Sequence, residues 1–160
     1  MEPEIHFNTG NAGRTCLGVG AQLHLVEPLG FSLDDRHLRR GGLDYWVRVK
    51  PRVWPDWETL VEALPGLGEP YLITPHAPRA YWHVDFPDRA VLIFGRESVG
   101  LPDALRARFL DRQLGIPMRD PALRSYNLST SVGIVSSEVV RQWDSRDPAE
   151  RPGHDSLPGS

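Results

Sequence analysis

The sequence predicts an α/β domain with a parallel sheet flanked by helices. Stretches of strand and helix character alternate along most of the chain, the order such a sheet requires. Several strand candidates, Ala90–Phe94 (AVLIF) above all, are apolar throughout rather than alternating, which marks strands covered on both faces. At 160 residues the chain fits one domain that can bury its own core without disulfides or metals.

In chain order, Asn11–Gly20 reads as a helix rich in small residues, starting after an Asn8-Thr9-Gly10 loop. Gln22–Glu27 has strand character up to Pro28, and Leu33–Leu43 reads as a short basic helix closed by Gly41-Gly42. Tyr45–Val49 is expected as a strand and Trp57–Leu64 as a helix stopped by Pro65-Gly66. Tyr71–Thr74 and Ala90–Phe94 are strands, Pro102–Arg108 a short helix, and Arg112–Ile116 a strand ending at Pro117. Ser129–Trp143 is the longest helix, with Val132, Val135, Val139 and Trp143 at helical spacing. From Asp144 onward there are three prolines and one large apolar residue. The domain is therefore expected over 1–143, with 144–160 a disordered tail.

Composition narrows the function. The single cysteine, Cys16, forms no internal disulfide and no C-x-x-C zinc site, which fits a reducing cytoplasm. The six histidines are scattered without metal-ligand spacing, and no metal is expected. The first ten residues lack a secretory pattern, and no apolar run approaches the ~20 residues of a membrane span. Net charge is −3, yet Arg36, Arg39, Arg40, Arg48, Lys50 and Arg52 crowd one segment against the lone anion Asp44. That patch suits a phosphate backbone; a solvated charged face is the other reading.

Three segments carry candidate chemistry. Asn8–Arg14 (NTGNAGR) places Gly, Asn and Thr at the expected helix start, where free backbone N–H groups suit an anion, with Arg14 about one turn on; taken by itself, the segment is better explained as a cap plus a surface arginine. Phe94–Pro102 (FGRESVGLP) runs from a buried strand into Gly95, which lets a ligand approach the backbone, and Glu97, which can accept hydrogen bonds. A plain strand-to-helix turn is the alternative. Ile116–Ser131 gathers Ser125, Asn127, Ser129 and Thr130 before an apolar helix, more than capping alone needs. Ligands in such sheets sit beyond the carboxyl ends of strands, so the loops after Thr74, Phe94 and Ile116 are where one is expected. No Rossmann glycine fingerprint in its proper context, phosphate-binding P-loop or nucleophile elbow is present.

Taken in this order, N-T-G-N-x-x-R at Asn8–Arg14, F-G-x-E-x-x-G-L-P at Phe94–Pro102 and I-P-M…S-x-N-x-S at Ile116–Ser129 resemble the motifs of the SPOUT methyltransferase superfamily. They are most similar to its YibK-like tRNA (cytidine/uridine-34)-2′-O-methyltransferases, as is the stretch Glu27–Tyr45 between them. The resemblance covers roughly residues 2–143. It implies a deep trefoil knot near the carboxyl end, S-adenosylmethionine as cofactor, the tRNA anticodon loop as substrate, and a homodimer in which Arg14 reaches the partner's site. Carried over by residue, the cofactor contacts are Ile73, Gly95, Ile116 and Ser125, with Leu128 close by. Asn8, Glu97, Ser125 and Asn127 fix the loop, the ribose and Arg14, and Arg36, Arg39 and Arg40 grip RNA. The sequence departs from the pattern twice. The short apolar first strand expected before Glu2-Pro3-Glu4 is missing, so the start is expected upstream or the chain is truncated; Pro75-His76 replaces a more usual Thr-Lys.

The implied chemistry places Arg14 as an electrostatic activator of the ribose 2′-OH and not as a base, because a guanidinium keeps its proton. Two rivals stay open: 2′-O-methylation of rRNA or of another tRNA position, and a non-catalytic RNA-binding or nucleotide-sensing domain.

Overall fold

The computed structural model describes residues 1–33, 45–75 and 77–146. The expected Leu33–Leu43 helix past its first residue, the RNA-contact candidates Arg36, Arg39 and Arg40, His76 and the tail from 147 onward lie outside the described residues.

The described elements, in order, are α1 (His6–Val19), β1 (His24–Val26), the single helical turn α2 (Trp46–Val49), β2 (Arg52–Trp54), α3 (Trp57–Leu67), β3 (Glu69–Ile73), β4 (Ala90–Phe94), α4 (Asp103–Arg108), β5 (Gln113–Leu114) and α5 (Leu128–Asp144). All strand pairings are parallel. β3 lies between β4 and β5, and β1 pairs with β2, His24 opposite Arg52. The α/β expectation therefore stands, with the sheet in two pieces.

β3 shows why its residues are apolar throughout. Successive strand side chains point to opposite faces, and both faces are covered. Tyr71 and Ile73 join Phe86, Leu114, Val135 and Val139 in one core cluster. Leu72 points the other way, into Val61, Leu64, Ile93 and Leu105. α5 supplies Val132, Val135 and Val139 at helical spacing, all buried. Burying each is worth about 1.5–3 kcal/mol.

The expected strand Arg112–Ile116 shortens to Gln113–Leu114, with Arg112 closing a 3-10 turn, and four further boundaries change for visible physical reasons. α1 begins at His6, so Asn8-Thr9-Gly10 is helix and not a loop: the amides of Asn8 and Thr9 already donate to Ile5 O at 3.1 and 3.2 Å. The free N–H groups expected there for an anion are spent. Trp46–Val49 is helical, because a helical turn lets Trp46 and Val49 both bury against α1. Gly13 makes that contact, since a Cβ there would lie 2.9 Å from the Trp46 ring. The strand falls instead at Arg52–Trp54. Pro65 does not stop α3, which runs to Leu67 because Leu60, Val61 and Leu64 are buried from its one face. Finally, α5 includes Asp144, and Arg146 pairs with Asp88 at 2.6 Å, so ordered packing extends three residues past the expected boundary.

A seam separates β1 from β4. Met1 donates its amino group to Phe94 O at 2.9 Å on one side, and Glu2 N donates to Val26 O at 2.9 Å on the other. Alternate residues bonding to opposite neighbours is the habit of a central strand. A cavity of about 490 Å³ lies along the seam, lined by both strands and by Met1. Met1 and Glu2 bridge the seam with these two hydrogen bonds, ahead of α1.

Candidate functional site

A second cavity, of about 510 Å³, opens at the carboxyl ends of β3, β4 and β5. Ile73 ends β3, Gly95 follows β4 and Ile116 follows β5, so three strand ends converge on it, as the sheet rule requires. Ser125 and Leu128 border it from the loop before α5 and from that helix's first residue.

Gly95 is required by space. Its ideal Cβ would fall 2.2 Å from the Gly100 carbonyl carbon and 2.4 Å from Leu101 N. The loop folds back on itself there, with Arg96 and Gly100 exchanging two backbone hydrogen bonds of 3.0 Å.

Asn8, Glu97 and Asn127 meet at the cavity wall from three distant parts of the chain. Asn8 Nδ2 donates to Glu97 Oε1 at 3.0 Å, and Asn127 Nδ2 donates to Asn8 Oδ1 at 2.9 Å. Asn127 Oδ1 in turn caps α5, accepting from Ser129 N and Ser129 Oγ at 2.9 and 2.8 Å. One asparagine thus serves both as cap and as site residue.

Residues 2–4 brace the same loop. Glu4 N donates to Glu97 Oε2 at 2.9 Å, Ser98 N and Oγ donate to the Glu4 carboxylate at 2.9 and 2.8 Å, and Arg96 pairs with Glu2 at 2.9 Å. The Ser98 hydroxyl and amide hold the Glu4 carboxyl below its ordinary range.

Arg14 stands apart. It is exposed on α1, does not border the cavity of its own chain, and lies with its guanidinium carbon 4.8 Å from the Tyr45 ring centroid. Among the expected site residues described, Asn8, Ile73, Gly95, Glu97, Ile116, Ser125, Asn127 and Leu128 are brought together, and Arg14 is not.

Sequence reasoning passed over Arg106, which borders the cavity and whose Nε is buried without a partner, and Tyr126. Arg106 lies on α4 right after the loop, but nothing in a short polar helix marks its inward residue. Among the described residues, no cluster of three or more His, Cys, Asp or Glu side chains is placed to hold a metal, and no helix is long and apolar enough to cross a membrane. His24 serves structure: its Nδ1 accepts from Trp54 Nε1 at 2.9 Å across the β1–β2 pair.

A parallel sheet with loops converging at its carboxyl edge around a half-apolar cavity is the architecture of a nucleotide- or cofactor-using α/β enzyme. The chain matches the SpoU rRNA Methylase family over residues 1–137 and belongs to it. It is 43% identical over 144 residues to the tRNA (cytidine(34)-2′-O)-methyltransferase of Burkholderia pseudomallei, covering 89% of this chain and 92% of that one. The enzyme of the same name from Methylovorus glucosotrophus is 40% identical, with the same coverage. A solved structure that gives insight into the 2-OH methylation of C/U34 on tRNA superposes with a TM-score of 0.80 at 40% identity, over 88% of this chain and 86% of that one. The fold is shared more distantly with the SpoU methyltransferase AviRb from Streptomyces viridochromogenes in complex with AdoMet: TM-score 0.74, 24% identity, 90% of this chain and 56% of that one.

Proposed function

We propose that this chain methylates the 2′-hydroxyl of the wobble nucleotide, C34 or U34, of tRNA, using S-adenosylmethionine and working as a homodimer in the cytoplasm. The observation that carries this reading is the convergence of Asn8, Gly95, Glu97, Ser125 and Asn127 on one cavity at the strand ends. The names of relatives at about 40% identity over nearly the whole chain supply the substrate.

The cavity suits the cofactor. At about 510 Å³ it falls within the ~300–1,000 Å³ range of small-molecule sites. Ile73, Leu101 and Ile116 offer apolar walls for an aromatic base, and Gly95 leaves the loop backbone open to close approach. Ile73, Gly95, Ile116, Ser125 and Leu128 would hold it; when bound, its sulfonium supplies an electrophilic methyl group. The protein's own task is positioning, which can be worth ~7–11 kcal/mol. Glu97 and Asn127 fix the loop through Asn8. Arg14 of one subunit orients the 2′-OH at the partner's site and lowers the cost of losing its proton to solvent. Arg36, Arg39 and Arg40 grip the RNA backbone.

The dimer reading is supported by Arg14's distance from its own cavity and by Phe7, 54% exposed on the same helix. The knot belongs to the same proposal. It is supported by Gly115, which donates to Arg79 O at 2.8 Å and accepts from Tyr81 N at 3.0 Å, so the chain before α5 lies against the loop after β3. The catalytic domain runs from residue 1 to the end of α5 and the Arg146–Asp88 pair just beyond it.

The test is nucleoside mapping of tRNA incubated with the protein and methyl-labelled S-adenosylmethionine. Label in 2′-O-methylcytidine or 2′-O-methyluridine at position 34 is expected. Label confined to rRNA, or to another tRNA position, overturns the substrate.

A further inference from the structure

We propose that Tyr45 is a positioning residue that holds the Arg14 guanidinium in its working orientation. The inference rests on the reading of Arg14 given above.

The geometry is a plate fixed at both ends. Tyr45 Oη donates to Gly10 O at 3.0 Å. In an α-helix that same carbonyl accepts from the amide of the residue four later, which is Arg14. The hydroxyl therefore grips the very turn that carries Arg14. At its other end Tyr45 is the N-cap residue of α2, its carbonyl accepting from Arg48 N at 2.9 Å. α2 in turn is seated on α1 where Gly13 meets Trp46 and Val49. Between these anchors the ring lies under the guanidinium, 4.8 Å from Cζ to centroid.

An exposed arginine has long, freely rotating reach and loses considerable entropy when it must adopt one pose. Stacking on an aromatic face restricts the cation without using any of its five N–H donors. Tyr45 thus removes part of the ordering cost in advance while leaving the donors for a hydroxyl or phosphate. A lysine here would keep an attraction to the ring but lose the planar stacking and the fork of donors that fix a guanidinium's pose.

The experiment uses the full chain with Tyr45→Leu, Tyr45→Phe, Arg14→Ala and the Tyr45→Leu/Arg14→Ala double variant. Tyr45→Leu is expected to lower kcat roughly two- to five-fold, in keeping with a cation–π contact at an exposed site, with S-adenosylmethionine affinity unchanged. Tyr45→Phe, which keeps the ring, restores most of the rate. In the Arg14→Ala background Tyr45→Leu has no further effect. Nitrogen-15 relaxation at Arg14 Nε gives a readout independent of turnover: restricted in the parent and in Tyr45→Phe, mobile in Tyr45→Leu. Normal kcat in Tyr45→Leu beside an inactive Arg14→Ala overturns this inference alone. Normal turnover in Arg14→Ala overturns the reading beneath it. A restricted Nε in Tyr45→Leu also overturns the brace, whatever the rate.

Discussion

Asn8 and Glu97 are joined by a 3.0 Å hydrogen bond across 89 residues of sequence, and that bond ties the first helix to the loop at the end of β4. Asn8 is 5% exposed and also accepts from Asn127, so it is the hinge pin of a three-residue network. Asn8→Ala leaves both partners short of a hydrogen bond in a half-buried setting. A loss of about 1–3 kcal/mol is expected, read by urea unfolding, together with weaker cofactor binding by calorimetry. Unchanged affinity would show that the network serves stability only.

Gly95→Ala is expected to be worse for binding than for any other property. The added methyl meets backbone at 2.2 Å, which no side-chain rotation relieves. The loop must open, separating Glu97 from Asn8. Cofactor binding should fall below detection in a protein that still shows native helix content. Parent-like affinity in the alanine variant rules out the tight turn as a requirement.

Ser98→Ala removes the hydroxyl that contributes most to lowering the Glu4 carboxyl. An NMR titration should find the Glu4 pKa moved up toward the ordinary carboxylate range. If it does not move, the hydroxyl contact is absent in solution.

What the sequence disclosed follows how locally each feature is determined. Ala90–Phe94 was readable because a strand covered on both faces must be apolar at every position. The α5 valines were readable because burial repeats with the helix. The start of α1 was not: Ile5 offers no side-chain cap, and the first turn is held by Glu97 and Asn127 from far along the chain. Trp46 and Val49 looked like part of a strand, and only the gap at Gly13 makes a helical turn the better fit. In the site, motif order located eight residues around one cavity. Arg106 escaped because its role depends on which way a short helix faces, and Tyr45 because its partner lies 31 positions earlier in the sequence.

The seam between β1 and β4 has a further consequence. A continuous ladder makes a sheet open as a unit; here, among the described residues, the half carrying β1 and β2 and the half carrying β3, β4 and β5 share only the bonds of Met1 and Glu2 as strand contacts. The remaining links are helix packing, the Asn8 network and the bonds of Glu2 and Glu4 to Arg96, Glu97 and Ser98, and the ligand cavity joins the β3, β4 and β5 ends to Ile5 and Asn8 at the start of α1, the helix on which α2 is seated. A molecule bound there acts as a staple across the joint. Amide exchange along β1 should slow when the cavity is filled, although the ligand touches neither β1 nor β2.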